Sequence, residues 1–554
     1  MKQRPLATFA ILAGIAVLGL AAPASAQTVG SSNTATADPT VPRPHTTPCT
    51  VQLFSNVAFA DFSPKPFTYT PPAACPGPWS KVVLEADFSV TAGRQFDRTA
   101  EIALGHVNIY FGTTAEPSAA VSPSWHVERD LTDYSPLFHA AQSGDVNLGN
   151  LVNSTYTGII HGSAVVKLYP AAGFDRAPRT ADVVLPLSTD PGGTSILANT
   201  ASVLGPTFNL PANVEGAYLD VISQSQSNDE FWYTCVPDDV AGELFSCGGT
   251  AFREAQVTID GQPAGIAPVY PWIFTGGIDP LLWRPIPGVQ TLNFVPYRVD
   301  LTPFAGVLSN GQPHQVGVSV FNANNYFSVA ASLLLYLDHG SSHVTGAVTQ
   351  NTIGTPQPAV QENLSTAADG TITGSVTTTS ARHSILAGYV NTSHGRVDTR
   401  VLQDVQFSNK QDFVVAAAQY IQNITQSTTV SSGTETTGGH SAAALTGAHF
   451  SYPLTLDITE NFNDDGSFSL TTSSDQKYDV QTAGVGGGPP TVGLVSNEVS
   501  SKDTLLFNAS GSVTGFQDRN SSQTYSSLTT DGGCYKRTIT SASGVLTSVT
   551  DGCH

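Results

Sequence analysis

The sequence predicts an all-β protein, two tandem β-sandwiches followed by a further β-rich region. Three observations carry this. Apolar and polar residues alternate with period two in short runs along most of the chain. Charged residues make up only 12% while Gly, Ser and Thr abound, and runs of Ala, Glu, Lys, Leu and Arg at helical spacing are missing after the N-terminus. Four short motifs also recur in the same order in two successive stretches. At 554 residues the chain is too long for one core and should divide into two to four domains.

The chain begins with Lys2 and Arg4 before an apolar run from Leu6 to Ala22, and "ASAQ" offers a small-x-small cut after Ala26. Residues 1–26 therefore read as a secretory signal peptide, and a secreted or periplasmic location follows. Residues 27–48, rich in Thr, Ser and Pro, read as a flexible arm. Cys49, Cys75, Cys235, Cys247, Cys534 and Cys553 admit fifteen full pairings. The sequential pairing is expected, because each pair lies within one local segment. A formal charge of −20 leaves no basic surface for nucleic acid, and no later stretch is apolar enough to cross a bilayer.

Residues 49–175 form the first expected sandwich, 176–207 a linker, 208–340 the second sandwich and 341–554 the C-terminal β domain. In "VVLEADFSV", Val82, Leu84, Ala86, Phe88 and Val90 share one strand face. Asp260-Gly261 sits between two extended runs, a hairpin signal. "VVLEADFS" pairs with "GAYLDVIS", "FDRTAEIALGHV" with "FREAQVTIDG", and "ERDLTDYSPLF" with "YRVDLTPFAGVL". The strands "SAVVKLYP" and "SLLLYLD" complete the echo, which favours a duplicated sandwich. The C-terminal region carries no motif with an evident chemistry.

Acidic residues stand beside aromatics in both halves: Asp97 in "QFDRT", Glu116 in "TTAEPS", Glu128 near Trp125, Glu230 before Trp232, Glu254 after Arg253, and Asp279 near Trp283 and Arg284. Carboxylates beside indoles suit sugars, since a ring face packs on pyranose C–H groups while charged groups bind hydroxyls. A tryptophan in a sandwich is nevertheless more often core. There is no G-x-S-x-G elbow and no metal-ligand spacing, so neither a serine nucleophile nor a metal or other cofactor is indicated. For hydrolysis the candidates left are carboxylates acting as acid or base; a paired-carboxylate glycosidase and a non-catalytic glycan binder both fit these residues.

"PWIFTGGIDPLLWRPIPGV", "FREAQVTIDGQPAG", "NDEFWY", "VDLTPFAGVLSNGQPHQVGVSV" and "FDRTAEIALGHVNIYFGTTAEPS" together resemble the peptide:N-glycosidase A type amidases. A fainter resemblance reaches the smaller bacterial peptide:N-glycosidase F type, built from two side-by-side jelly rolls. The resemblance implies jelly-roll sandwiches, N-glycosylated peptides and proteins as partners, no cofactor and a monomer. It implies Asp97 as the primary catalytic carboxylate and Arg98 as a sugar-contacting neighbour. Gly248-Gly249 stand where the smaller type has its second-domain Glu, which leaves Glu230 and Glu254 as substitutes, Glu230 preferred. The other Glu of the smaller type aligns near Asn150 to Asn153, where there is no acid. Trp125, Trp232, Arg253, Trp283 and Arg284 complete the expected binding set. The expected chemistry has Asp97 activating water, its pKa lowered by Arg98, and a protonated Glu as acid, giving an acidic optimum.

Overall fold

Alternating residues become the two faces of pleated strands, and the buried faces meet in pairs. The computed structural model describes residues 27–439, 443–486, 488–530 and 532–553; the expected signal peptide lies outside them. The first sandwich holds β1 (Cys49–Phe59), β2 (Lys65–Tyr69), β3 (Trp79–Val90), β4 (Thr99–Leu104), β5 (Val107–Thr113), β6 (Ser124–Asp130), β7 (Gln142–Asn147) and β8 (Ile160–Pro170). Its sheets run β1-β8-β3-β6 and β2-β7-β4-β5. The inward residues of β3 (Val82, Leu84, Ala86, Phe88 and Val90) are all buried.

The second sandwich holds β9 (Val183–Pro186), β10 (Thr194–Asn199), β11 (Thr207–Phe208), β12 (Val214–Ser225), β13 (Glu254–Ile259), β14 (Gln262–Pro268), β15 (Tyr297–Asp300), β16 (His314–Phe321) and β17 (Asn324–Leu337). Its sheets run β10-β17-β12-β15, with β9 also on β17, and β11-β16-β13-β14. Adding nine to each first-sandwich strand number reproduces this order, so the sequence echo is a repeated jelly-roll topology. The Asp-Leu-Thr echo has a physical cause. Asp130 Oδ1 accepts from Thr132 N–H at 3.0 Å and Asp300 Oδ1 from Thr302 N–H at 2.9 Å. The leucine N–H groups then close onto Val82 and Ala217 at equivalent points of β3 and β12. Each motif turns an edge strand into a short 3-10 helix.

Two expectations for connecting segments do not hold. Residues 176–207 are not a free linker, because β9 and β10 both pair with β17. Nor is 27–48 a loose arm. Gly30 N–H donates to Leu546 O, Leu546 N–H to Ser31 O, and Ala35 N–H to Pro285 O. Further on, Ala37 N–H donates to Gln523 Oε1 and Val41 N–H to Glu128 Oε2. The arm's backbone groups find partners in all three bodies, which its polar composition could not disclose.

The C-terminal region is one antiparallel sheet of eleven strands from Thr345–Asn351 to Val545–Asp551, most joined to their sequence neighbours. In its strand Gly395–Ala416, Val405, Phe407, Asn409, Gln411 and Phe413 face inward and the intervening residues outward. The inward amides grip the second sandwich. Asn409 Nδ2 donates to Tyr233 O at 2.8 Å, Gln411 Nε2 to Cys235 O at 2.9 Å, and Gln422 Nε2 to Thr234 O at 3.1 Å. Gln476 Nε2 donates to Pro271 O while its Oε1 accepts from Val289 N–H. The disulfides are Cys49–Cys75, Cys235–Cys247 and Cys534–Cys553, the sequential set.

Replacing Gln411→Leu strips Cys235 O and the Gln422 amide of buried partners. We expect a loss of about 1–3 kcal/mol, read as a lower urea midpoint with an unchanged slope; no loss would mean these amides do not hold the sheet in place.

Candidate active site

The two sandwiches meet along β5. The long β14–β15 connection lies beside it: Phe294 N–H donates to Phe111 O, Thr113 N–H to Thr291 O, and Tyr110 Oη to Leu292 O at 2.7 Å. Gly112 permits this approach, since a Cβ there would stand 2.3 Å from Leu292 O. The same connection carries Gly276, Asp279, Trp283 and Arg284, so pinning it to β5 brings these residues onto the first half.

Asp97 sits just before β4, at the seam. Its Oδ2 accepts from Gly276 N–H at 3.2 Å, and its own N–H donates to Glu116 Oε1 at 3.1 Å. A Cβ on Gly276 would come within 2.5 Å of Glu116 Oε1 and 2.9 Å of Asp97 Oδ1, so only glycine lets the connection come this close. Burial raises the Asp97 pKa; the Gly276 bond and the Arg98 charge oppose it without prevailing. The sequence expectation that Arg98 would depress Asp97 is therefore corrected. Arg98 spends its donors on Gln95 Oε1 at 2.9 Å and Asn150 Oδ1 at 3.3 Å. Asn150, which stands where an acid might have been expected, is a neutral buried brace.

Two further carboxyl groups share this desolvated region. Glu116 is pushed up to about 7 by burial and by the Asp97 charge, against the pull of Arg284, whose Nη2 donates to Glu116 Oε2 at 3.0 Å. Glu230 is pushed up to about 7 by burial and again by Asp97. It follows the turn Ser227–Asp229 at the end of β12. At Gly248-Gly249 a side chain would have to displace the Asp238 cap or adopt a positive φ. A Cβ on Gly248 would lie 2.1 Å from Asp238 Oδ1, which Gly249 N–H already caps.

Other expected residues lie elsewhere. Glu254 is buried under the C-terminal sheet and paired with Arg382, so it is not part of the Asp97 group. Arg253 forms an ion pair with Asp229 at 2.8 Å, both side chains 0% exposed, and cannot reach a ligand. Trp125 stacks on Phe88 inside the first core, and Trp232 is 0% exposed against Phe407. Neither offers a ring face. Trp283, with Nε1 donating to Gly277 O at 2.9 Å, lines a cavity with Arg284 and Glu116.

Sequence reasoning left Glu116 out of the catalytic set, yet its signal was present. Antiparallel pairing of β4 with β5 sets Thr99 opposite Thr113. Residues just before β4 must then face those just after β5, which places Glu116 beside Asp97.

The arrangement can supply one carboxylate to take a proton and two carboxyl groups that keep theirs near neutrality. It also bears on stability. Glu101, Glu116, Glu230 and Glu254 are each held near 7, against an ordinary value of 4.5. The folded chain binds these protons where the unfolded chain does not, so their contribution is complete below about 4.5 and lost as pH rises through 7. His126, held near 9 between Asp87 and Glu128, acts in the same direction from 6.5 upward. We expect the melting temperature to fall between about pH 5 and pH 8; a rise would contradict the burial of these acids. Removing the Asp97 charge with Asp97→Asn should lower the Glu116 and Glu230 midpoints, read by carboxyl carbon NMR.

Comparison with known proteins adds the following. The family described as "Peptide N-acetyl-beta-D-glucosaminyl asparaginase amidase A" matches residues 38–353. The Prunus dulcis protein "Peptide-N4-(N-acetyl-beta-glucosaminyl)asparagine amidase A" is 30% identical over 523 residues, covering 90% of this chain and 89% of that protein. Among solved structures, PNGF-II is 12% identical with a TM-score of 0.36, over 53% of this chain and 66% of its own, just under two thirds. Peptide:N-glycanase F is 13% identical with a TM-score of 0.35, over 52% of this chain and 96% of its own.

Proposed function

Because the chain belongs to the peptide N-acetyl-beta-D-glucosaminyl asparaginase amidase A family, we infer that it is an N-glycan amidase. It hydrolyses the amide joining N-acetylglucosamine to asparagine in N-glycosylated peptides and proteins. The observation that carries the mechanism is the placement of Asp97 at the seam, hydrogen-bonded to both halves and electrostatically coupled to Glu116 and Glu230.

Asp97 is the base. It takes a proton from water as the oxygen attacks the side-chain carbonyl carbon. Glu230, still protonated below about 7, donates to the leaving nitrogen. The C–N bond breaks, leaving aspartate in the peptide and releasing a glycosylamine, which later sheds ammonia. Arg284 holds Glu116 in place, and Glu116 fixes the Asp97 backbone. Arg284 is the exposed group of the wall against which the sugar is oriented, and Trp283, buried behind it, holds the connection through Gly277 O. The expected N-terminal signal peptide makes the enzyme an exported one.

The pH profile follows from the two groups. The rate rises as Asp97 ionises, at a pH raised from its ordinary value by burial, and falls as Glu230 loses its proton near 7. The optimum therefore lies below neutrality, and an optimum well above pH 7 would contradict the roles. Asp97→Asn should lower kcat by at least about a hundredfold with the fold intact by circular dichroism. A variant with wild-type rate would remove Asp97 from the mechanism. Product analysis of a defined glycopeptide should show aspartate and ammonia; sugar left on asparagine would instead identify a glycosidase.

A further inference from the structure

A cavity of about 270 Å³ opens beside the Glu116–Arg284 pair, and the C-terminal sheet supplies one of its walls. Trp283, Arg284 and Glu116 line one side, Phe516 and Arg519 the other, and the ordered arm adds Ser32 and Thr34. We propose that this cavity is a glycan subsite, in which Phe516 and Arg519 of the C-terminal sheet bind a neutral sugar residue beyond the one joined to asparagine. The proposal rests on the amidase reading given above.

The sheet is deformed at this point. Opposite its neighbouring strand Thr491–Phe507, Lys502 pairs with Asn520 and Thr504 with Gln517, so Asp518 and Arg519 together face the single residue Asp503. This is a β-bulge, with Asp518 at a φ of 53°. Bulges re-aim side chains, and this one places Arg519 in the cavity wall. Arg519 Nε donates to Asp503 Oδ2 at 2.8 Å, and Ser543 N–H, from the next hairpin tip, donates to Arg519 O at 2.7 Å. The guanidinium lies 3.7 Å from the centre of the Phe516 ring. That ring belongs to a residue 44% exposed, backed on one side by a cation.

The charges point to a neutral ligand. Arg284 is paired with Glu116 and Arg519 with Asp503, so each guanidinium already has a carboxyl partner and neither calls for an anionic ligand. Arg284 Nε and Arg519 Nη2 are left without a protein partner. Those two atoms are shut off from the cavity, but the rest of the Arg284 guanidinium, on a side chain 26% exposed, can donate to a ligand hydroxyl or acetamido oxygen. The exposed ring of Phe516 suits the C–H face of a pyranose. Position decides which sugar enters. Asp97 touches one oxygen of Glu116 and Arg284 the other, so the cavity begins one carboxyl group beyond the reacting amide.

Kinetics on two glycopeptides of identical peptide sequence test this. One carries a single N-acetylglucosamine and the other a branched neutral glycan. Phe516→Ala, at an exposed site, should raise KM for the branched substrate about tenfold, keep kcat within about twofold, and leave the single-sugar substrate unchanged. Arg519→Met should act in the same direction; paired with Asp503→Asn, it avoids stranding a buried charge. Equal effects on both substrates, no effect on either, or an effect that follows peptide length would overturn the subsite. If the wild-type protein released nothing from either substrate, the amidase reading would fall. Calorimetry with the free branched glycan would still decide the subsite, with about tenfold weaker binding by Phe516→Ala in support and unchanged binding against.

Discussion

Like charges held close in a desolvated seam are the constraint around which this molecule is built. The Asp97 charge raises the proton affinity of Glu116 and of Glu230, and burial raises all three. Three carboxylates cannot all stay charged in such a place. The structure resolves the conflict by giving Glu116 a cation, Arg284, and by leaving Glu230 to keep its proton. In the proposed mechanism Asp97 is the carboxylate and Glu230 the carboxylic acid.

That seam needs rigid walls, and each body supplies some. The β14–β15 connection is bonded along β5, and Arg298 bridges Asp220 at 2.7 Å and Asp133 at 2.5 Å across the halves. Tyr134 Oη adds a bond to Asp220 Oδ2 at 2.8 Å. The C-terminal sheet reaches the segment just after Glu230 through the amides of Asn409, Gln411 and Gln422, and the Trp283 connection through Gln476. A region with no motif of its own thus holds the loops that carry the chemistry. The arm from Gly30 to Val41 runs over all three bodies and shares the cavity wall.

Much of this was legible in the chain. Period-two alternation disclosed the strands, and the doubled motifs disclosed the repeat, because an Asp-Leu-Thr turn needs the same local hydrogen bonds wherever it occurs. Of the residues the sequence singled out, Asp97 and Glu230 share the desolvated seam and Trp283 and Arg284 line the cavity beside it. The failures share a cause. Glu254, Arg253, Trp125 and Trp232 have the right chemistry in the sequence but the wrong face of their element, and burial is set by the partner surface. For Glu254 and Trp232 that partner is the C-terminal sheet, more than a hundred residues away. Long-range packing likewise turned the 176–207 segment into strands and fixed the arm. The direction of the Asp97 shift was misjudged because a neighbouring charge is visible in sequence and desolvation is not.

The central claim is that a water molecule, deprotonated by Asp97, attacks the amide carbon. A single turnover in heavy-oxygen water, with enzyme in excess over a defined glycopeptide, tests it most directly. The account predicts that the new aspartate carries one heavy oxygen after that first turnover, and that Asp97 itself carries none. A first-turnover peptide without heavy oxygen would show that a side-chain carboxylate, and not water, attacks the amide, and would contradict the account.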